Sequence, residues 1–387
     1  MHAHASSTRS LAALMLAASL ASTIGGLPFN SLPVMLGSLA DTFGLQAEQV
    51  GFLGSVCFAG YLVGTLGAPI WMNRLNWRGL TAISALCTAG SFAVSAQLQA
   101  LQALYVVWAL IGFFASTMTC LGMRVLAELP NKERAFGVRQ GVELSVTAAA
   151  LFALPPWVIA PLGYPGAAWA LAALVAVLGL SALWVPSRPP APVDTARQTG
   201  LNMPAAAWWA LAVFWLFLTG NIGLWAFLER IGATLKVAPA EMGLVFAVLK
   251  LLGSVAAFAV ALLGARLRTS QAYALALAGL AAGLALLASA QTFAPYAAGA
   301  WLWEFAFTCG CVFQTAHIAR TDSSGRAVVL VPASFALASM VGPGLAGQLM
   351  TDTSYTQVLW LALASSVVPV LAIWLRPIAR AQAHSRV

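Results

Sequence analysis

Ser187-Arg-Pro-Pro-Ala-Pro-Val-Asp-Thr-Ala-Arg-Gln-Thr-Gly-Leu-Asn-Met-Pro204 is the longest polar, proline-rich stretch of the chain. Prolines and small polar residues at this density read as a solvated linker, not as packed structure. On both sides the sequence changes character. Apolar runs of about 20 residues follow one another between short polar turns, and each is long enough to cross a bilayer as a helix. The runs fall at roughly 11–38, 48–71, 79–97, 102–125, 136–158 and 166–186 before the linker. After it they fall at roughly 204–228, 242–264, 271–291, 295–318, 327–350 and 355–376. A short turn around Gly163–Pro165 separates the fifth from the sixth.

Composition supports the same reading. Of 387 residues, 61% are apolar and 8% charged. About a quarter of an ordinary soluble chain is charged, so these charges are too few to cover a surface in water. The expected fold is an all-α integral membrane protein. Twelve transmembrane helices form two six-helix bundles, residues 1–186 and 204–387, joined by a cytoplasmic linker at 187–203. The first run follows Arg9, is too long for a signal peptide, and leads straight into a second span. Little chain remains for a soluble domain.

The formal charge of +8 does not point to nucleic acid, because the basic residues sit between apolar runs. With the N-terminus inside, sixteen of the 19 Lys and Arg fall in inner loops, tails or inner helix ends. Arg230 and Lys236 fall outside, and Lys250 lies within a span. This skew obeys the positive-inside rule and places both termini in the cytoplasm. An Ala-rich, loop-poor chain of this kind is expected in a bacterial inner membrane, with lipid as its surroundings, acting as a monomer.

The two halves look like copies. A shift of 192 residues brings Arg74 onto Arg266 and Arg134-Ala135 onto Arg326-Ala327. Ala47-Glu48-Gln49-Val50-Gly51 falls near Ala240-Glu241-Met242-Gly243. One register serves matches far apart in the chain, which favours duplication. Parallel six-helix repeats are found in transporters.

With twelve spans, a central inner linker and a 6+6 repeat, the chain resembles the major facilitator superfamily over nearly its full length. The local motif is weaker. The family's loop between helices 2 and 3 usually reads G-x-x-x-D-R-x-G-R-R. Here Asn73 replaces the acid, while Arg74 and Arg78 are kept. Trp108 stands where the family often has an arginine in helix 4. Gly141 and Pro155-Pro156 only faintly echo the family's antiporter motif. The resemblance implies that helices 1, 4, 7 and 10 line a central cavity, that 2, 5, 8 and 11 flank it, and that 3, 6, 9 and 12 face lipid. It also implies two halves rocking about a midplane site. No subfamily follows.

Ionisable groups inside a span cost about 2.5–3.5 kcal/mol on insertion scales, so each suggests function. Lys250 in helix 8 and Glu304 in helix 10 lie at similar depth and carry opposite charge. Either they neutralise each other and lock the second half, or they work. In the second case Lys250 attracts an anionic solute and Glu304 takes a coupling proton. A carboxylate withdrawn from water accepts a proton more readily. Around Lys250, Gly243, Ala247, Gly253, Ser254 and Ala257 are small; around Glu304, Thr308 is polar and Trp301 bulky. Arg139 and Glu143, one turn apart at the inner end of helix 5, read as a local pair or as an inner gate. Arg74 and Arg78, with Asn73, are candidates to cap helix ends of the other half and so to gate.

Helix 1 carries Gly25-Gly26-Leu-Pro28-Phe-Asn30-Ser31-Leu-Pro33, where two prolines should interrupt the backbone ladder. Asn30 and, at matching depth in helix 7, Asn221 are candidates for the cavity or for interhelical hydrogen bonds. Gly60 and Gly64 suit close helix packing. His317, near the inner end of helix 10, is a minor candidate for proton relay. All five cysteines lie in apolar runs and read as small buried residues.

The leading expectation is proton-coupled transport of a small organic acid, with no cofactor and the proton gradient as driving force. Proton-driven efflux of drugs or metabolites is the alternative, and a non-transporting receptor a lesser one. No nucleophile–base–acid constellation or metal cluster suggests an enzyme.

Overall fold

The structure is a computed structural model and describes residues 2–45, 47–72, 74–187, 203–237, 239–349 and 355–374. The linker at 188–202 and Asn73 therefore lie outside the described residues. Twelve long helices are present among those described. The first six are α1 (His2–Phe43), α2 (Ala47–Trp71), α3 (Trp77–Ser95), α4 (Leu101–Leu126), α5 (Lys132–Leu154) and α6 (Ala160–Gly179). The last six are α7 (Ala205–Thr234), α8 (Pro239–Leu263), α9 (Thr269–Ala288), α10 (Phe293–Thr321), α11 (Val331–Leu349) and α12 (Thr356–Trp374). Each corresponds to one apolar run. Among the described residues, eight segments are both long and apolar enough to cross a membrane, and one of them, Lys132–Trp184, contains both α5 and α6.

Helices dominate because lipid cannot hydrogen-bond a free backbone. The breaks follow local chemistry. Pro155 and Pro156 lack amide hydrogens, and a π-helical turn at Pro155–Ile159 takes up the slack after α5. The chain reverses at Gly163, whose φ of +60° is open to glycine. Tyr164 then anchors the turn. Its amide donates to Thr42 Oγ1 at 3.2 Å and its hydroxyl to Ser95 Oγ at 2.8 Å. Trp108 Nε1 donates back to that hydroxyl at 3.2 Å, so this tryptophan ties α4 to α6. Asn76 and Asn131 cap α3 and α5 through their side-chain oxygens.

Pro28 and Pro33 lack the amide hydrogen of the backbone ladder, yet α1 runs unbroken through both. Proline removes a single ladder bond, and packed neighbours on α4, α5 and α6 hold the helix in line.

Small residues set the packing distances. A Cβ on Gly60 would lie 2.0 Å from Ala109 O, and one on Gly64 would lie 2.1 Å from Ser116 Oγ. So α2 and α4 touch backbone to backbone, as the glycine spacing suggested. Two seams join the halves. α5 packs along α8, and α2 along α11. α3, α6, α9 and α12 stand outside. They expose large apolar side chains such as Ile83, Leu86, Trp169, Val177, Leu275 and Trp360, as lipid-facing helices should.

Candidate functional site

Glu143 on α5, Lys250 on α8 and Glu304 on α10 each stand eleven positions beyond the first residue of their helix. At 1.5 Å per residue this is about 16 Å, half of a hydrocarbon core roughly 30 Å thick. A cavity of about 90 Å³ opens at this level. Asn30, Tyr61, Thr119, Arg139, Gln140, Glu143, Lys250, Glu304 and Thr308 form its polar wall. Phe29, Phe307 and Phe335 are the phenylalanines among its apolar members.

Two ion pairs face this space. Lys250 Nζ donates to Glu304 Oε1 at 3.3 Å. Charge-assisted bonds usually run 2.7–2.9 Å, so this pair is loose. The ammonium also lies 4.2 Å from the ring centre of Trp225, where the negative face of the indole stabilises it. Room for Glu304 comes from Gly253. A Cβ there would lie 3.0 Å from Glu304 Oε1 and 3.2 Å from Thr308 Oγ1.

The second pair is tighter. Arg139 Nη2 donates to Glu143 Oε2 at 2.5 Å. Arg139 also donates through Nε to Ser22 Oγ at 2.8 Å and through Nη1 to Gln140 Oε1 at 2.7 Å. Asn30 Nδ2 donates to Glu143 Oε1 at 3.3 Å and to Gly26 O at 3.0 Å. A Cβ on Gly26 would lie 2.4 Å from the Glu143 carboxyl carbon, so that glycine admits the acid to the face of α1.

The predicted residues thus divide. Lys250, Glu304, Asn30, Thr308, Arg139 and Glu143 meet at one cavity. Asn221 and Trp301 are not among the residues that line it. Asn221 is fully buried, donating to Phe217 O at 2.9 Å and Ser366 Oγ at 3.0 Å and accepting from Trp303 Nε1 at 2.9 Å. It knits α7, α10 and α12 together. Trp301 Nε1 donates to Val245 O at 3.1 Å, tying α10 to α8. His317 stands edge-on to Tyr273, apart from the cavity.

Arg78 does not reach the other half. Its Nε donates to Val185 O at 3.2 Å, beyond the end of α6, and Arg74 is exposed. The cross-half contacts at that end of the molecule come from other residues. Arg320, closing α10, pairs with Glu133 in the first turn of α5. Cys120 Sγ on α4 lies 3.4 Å from Val329 O, in the one-turn helix Arg326–Val329 before α11. Asp322 accepts the amides of Arg326 and Ala327 at 3.0 Å and so caps that turn. Arg139 and Glu143 are not part of this end. Seven and eleven positions into α5, they face the cavity.

Sequence reasoning placed the aromatic Phe307 near Glu304 but missed Tyr61, Thr119, Gln140, Phe29 and Phe335. Tyr61 donates to Thr119 Oγ1 at 2.9 Å, linking α2 to α4. The available signal was weak: hydroxyls inside apolar runs, which need partners in lipid. The aromatic wall continues a ladder of rings. Trp303, Phe307 and Phe217 stack in turn at 5.4 and 5.6 Å, and Phe214 meets Phe335 at 5.5 Å. Phe335 meets Phe29 at 6.3 Å, so the ladder crosses from one half to the other.

A family model described as Major Facilitator Superfamily matches residues 14–321. No curated protein matches the sequence. Solved structures match closely in fold. The human organic anion transporter MFSD10 (TETRAN) aligns with a TM-score of 0.72 at 18% identity, over 95% of this chain and 99% of its own. The proton:xylose symporter XylE, bound to 6-bromo-6-deoxy-D-glucose, aligns at 0.78 and 14%, over 95% and 96%. FucP in the outward conformation aligns at 0.74 and 12%, over 94% and 98%.

Proposed function

The chain belongs to the major facilitator superfamily, a family of membrane transporters, and we propose that it carries a small organic acid together with a proton by alternating access. The observation that carries this reading is the loose Lys250–Glu304 pair on the wall of the midplane cavity. The similar structures include a transporter of organic anions and a proton:sugar symporter. The fold is compatible with either kind of solute, so the choice falls to the charges.

The mechanism follows from charge balance. An incoming carboxylate competes with Glu304 for Lys250. Breaking a buried pair without replacement costs about 3–5 kcal/mol. The substrate carboxylate supplies the replacement for Lys250, and a proton from the aqueous side neutralises the released Glu304. Solute and proton then cross together, and the cavity keeps its net charge. Binding of this kind makes the protein a secondary active symporter. The frame we infer is two bundles, 1–186 and 204–387, rocking about this site on the linker 187–203. The setting is a bacterial inner membrane with both termini cytoplasmic and the monomer as the working unit. Efflux of apolar metabolites in exchange for protons is the second reading, favoured by Phe29, Phe307 and Phe335.

Purified protein in liposomes, with an imposed pH gradient and labelled monocarboxylates, tests the reading. Glu304→Gln should abolish pH-driven accumulation while sparing solute exchange. Proton coupling that survives this substitution overturns the role of Glu304. Expulsion of apolar dyes without carboxylate uptake would establish the efflux reading instead.

A further inference from the structure

We propose that Arg139 and Glu143 form a second anion and proton site in the same cavity, so that its solute is a dicarboxylate carried with two protons. The proposal rests on the reading of Lys250 and Glu304 given above and extends it to the other half of the molecule.

The two pairs are placed alike. Both line one cavity, and Glu143, Lys250 and Glu304 share one depth. They come from opposite halves, α5 on one side and α8 with α10 on the other. The seam between them is fixed by hydrogen bonds. Ser254, one turn beyond Lys250, donates to Gly141 O at 3.0 Å, and its hydroxyl lies 2.7 Å from Ser145 Oγ. Gly141 itself lies between Arg139 and Glu143. A molecule with two carboxylates therefore meets one cation from each half.

The donor inventory allows it. A guanidinium has five N–H groups. Arg139 directs one each to Ser22, Gln140 and Glu143, and its fork retains capacity for a further carboxylate. Ser22 and Gln140 would hold the guanidinium in place when Glu143 lets go. Asn30 already donates to the other oxygen of Glu143 and can keep that bond when the acid is neutral.

Charge then sets the stoichiometry. The cavity holds two cations and two acids, and its net charge is zero. The other titratable groups on its wall are the Tyr61 phenol from α2 and the Cys311 thiol from α10. A dianion that displaces both acids restores neutrality only if both take up protons. A monocarboxylate engages one pair and needs one proton. If Arg139–Glu143 is merely a helix staple, dicarboxylates behave like monocarboxylates.

The test is the accumulation ratio in liposomes, with membrane potential clamped to zero and a tenfold proton gradient. The probes are labelled succinate and phthalate against gluconate and glucuronate, whose polar neutral acids do not cross protein-free liposomes. Mass action predicts about 100-fold accumulation of the dicarboxylates and about 10-fold of the monocarboxylates in the wild type. Glu143→Gln should reduce the dicarboxylate ratio to about 10-fold. The second site is overturned if wild-type dicarboxylates stop at about 10-fold or are not carried while monocarboxylates are. It is equally overturned if Glu143→Gln retains the 100-fold ratio. Should Glu143→Gln fail to fold, the wild-type ratios alone decide. No accumulation of any carboxylate by the wild type overturns the one-proton reading as well.

Discussion

Lys250 and Glu304 illustrate how a residue's worth depends on its partner. Their side chains are 11% and 4% exposed, so neither charge can be left alone cheaply. Removing one partner of a buried pair leaves the other uncompensated, at a cost of about 3–5 kcal/mol. Lys250→Met alone should therefore lower the unfolding temperature in detergent clearly, and Lys250→Met/Glu304→Gln should recover most of it. A double variant as unstable as the single would show that the two groups are not coupled. Transport should stay lost in both, since neither has a cation at that site. Gly26 has a similar dependence: its missing Cβ is the space in which Glu143 lies.

At the level of the helix, close approach is the governing quantity. Lipid tails are as apolar as side chains, so helices gain little from the hydrophobic effect and much from contact and interhelical hydrogen bonds. The α2–α4 pair uses Gly60 and Gly64 for this. Gly64→Val places a Cβ 2.1 Å from Ser116 Oγ and 2.8 Å from Phe113 O. It should destabilise the protein by about 1–3 kcal/mol through overpacking, read as a lowered midpoint in thermal unfolding. An unchanged midpoint would mean that α2 can move away from α4 at no cost. α1 makes the complementary point. Its prolines remove ladder bonds without ending the helix, which packed neighbours hold in line.

For the whole molecule, contact between halves distinguishes the ends from the middle. Arg320–Glu133 joins α10 to α5 at one end, and Cys120 and Val329 meet nearby. The arginine is partly exposed, and pairs of that sort are worth about 0–1 kcal/mol. Glu133→Gln should thus shift the balance of conformations by no more than about fivefold towards the state open at that end. Distance measurements between spin labels on α4 and the Arg326–Val329 turn would record the shift. A complete conversion to one state would assign this pair far more energy than its exposure allows.

Much of the architecture was legible in the chain itself. Run length against bilayer thickness gave twelve helices, and twelve long helices stand among the described residues. Run length is a one-dimensional quantity, set by composition along the sequence. Ionisable residues in apolar runs were legible for the same reason, because a charge in a spanning run stands out before any partner is known. Lys250 and Glu304 were found that way, and Asn30 as a polar group in helix 1. What they face depends on helix rotation and on which helices touch, and those are set by packing between distant segments. Only the tertiary structure could bring Arg139 and Glu143 to the cavity, remove Asn221 into a network with Trp303 and Ser366, and turn Arg78 back onto Val185. The same division applies to the cavity. Composition marks which runs are apolar, but the contacts of α5 with α8 and α10 decided that one charged cavity lies between them.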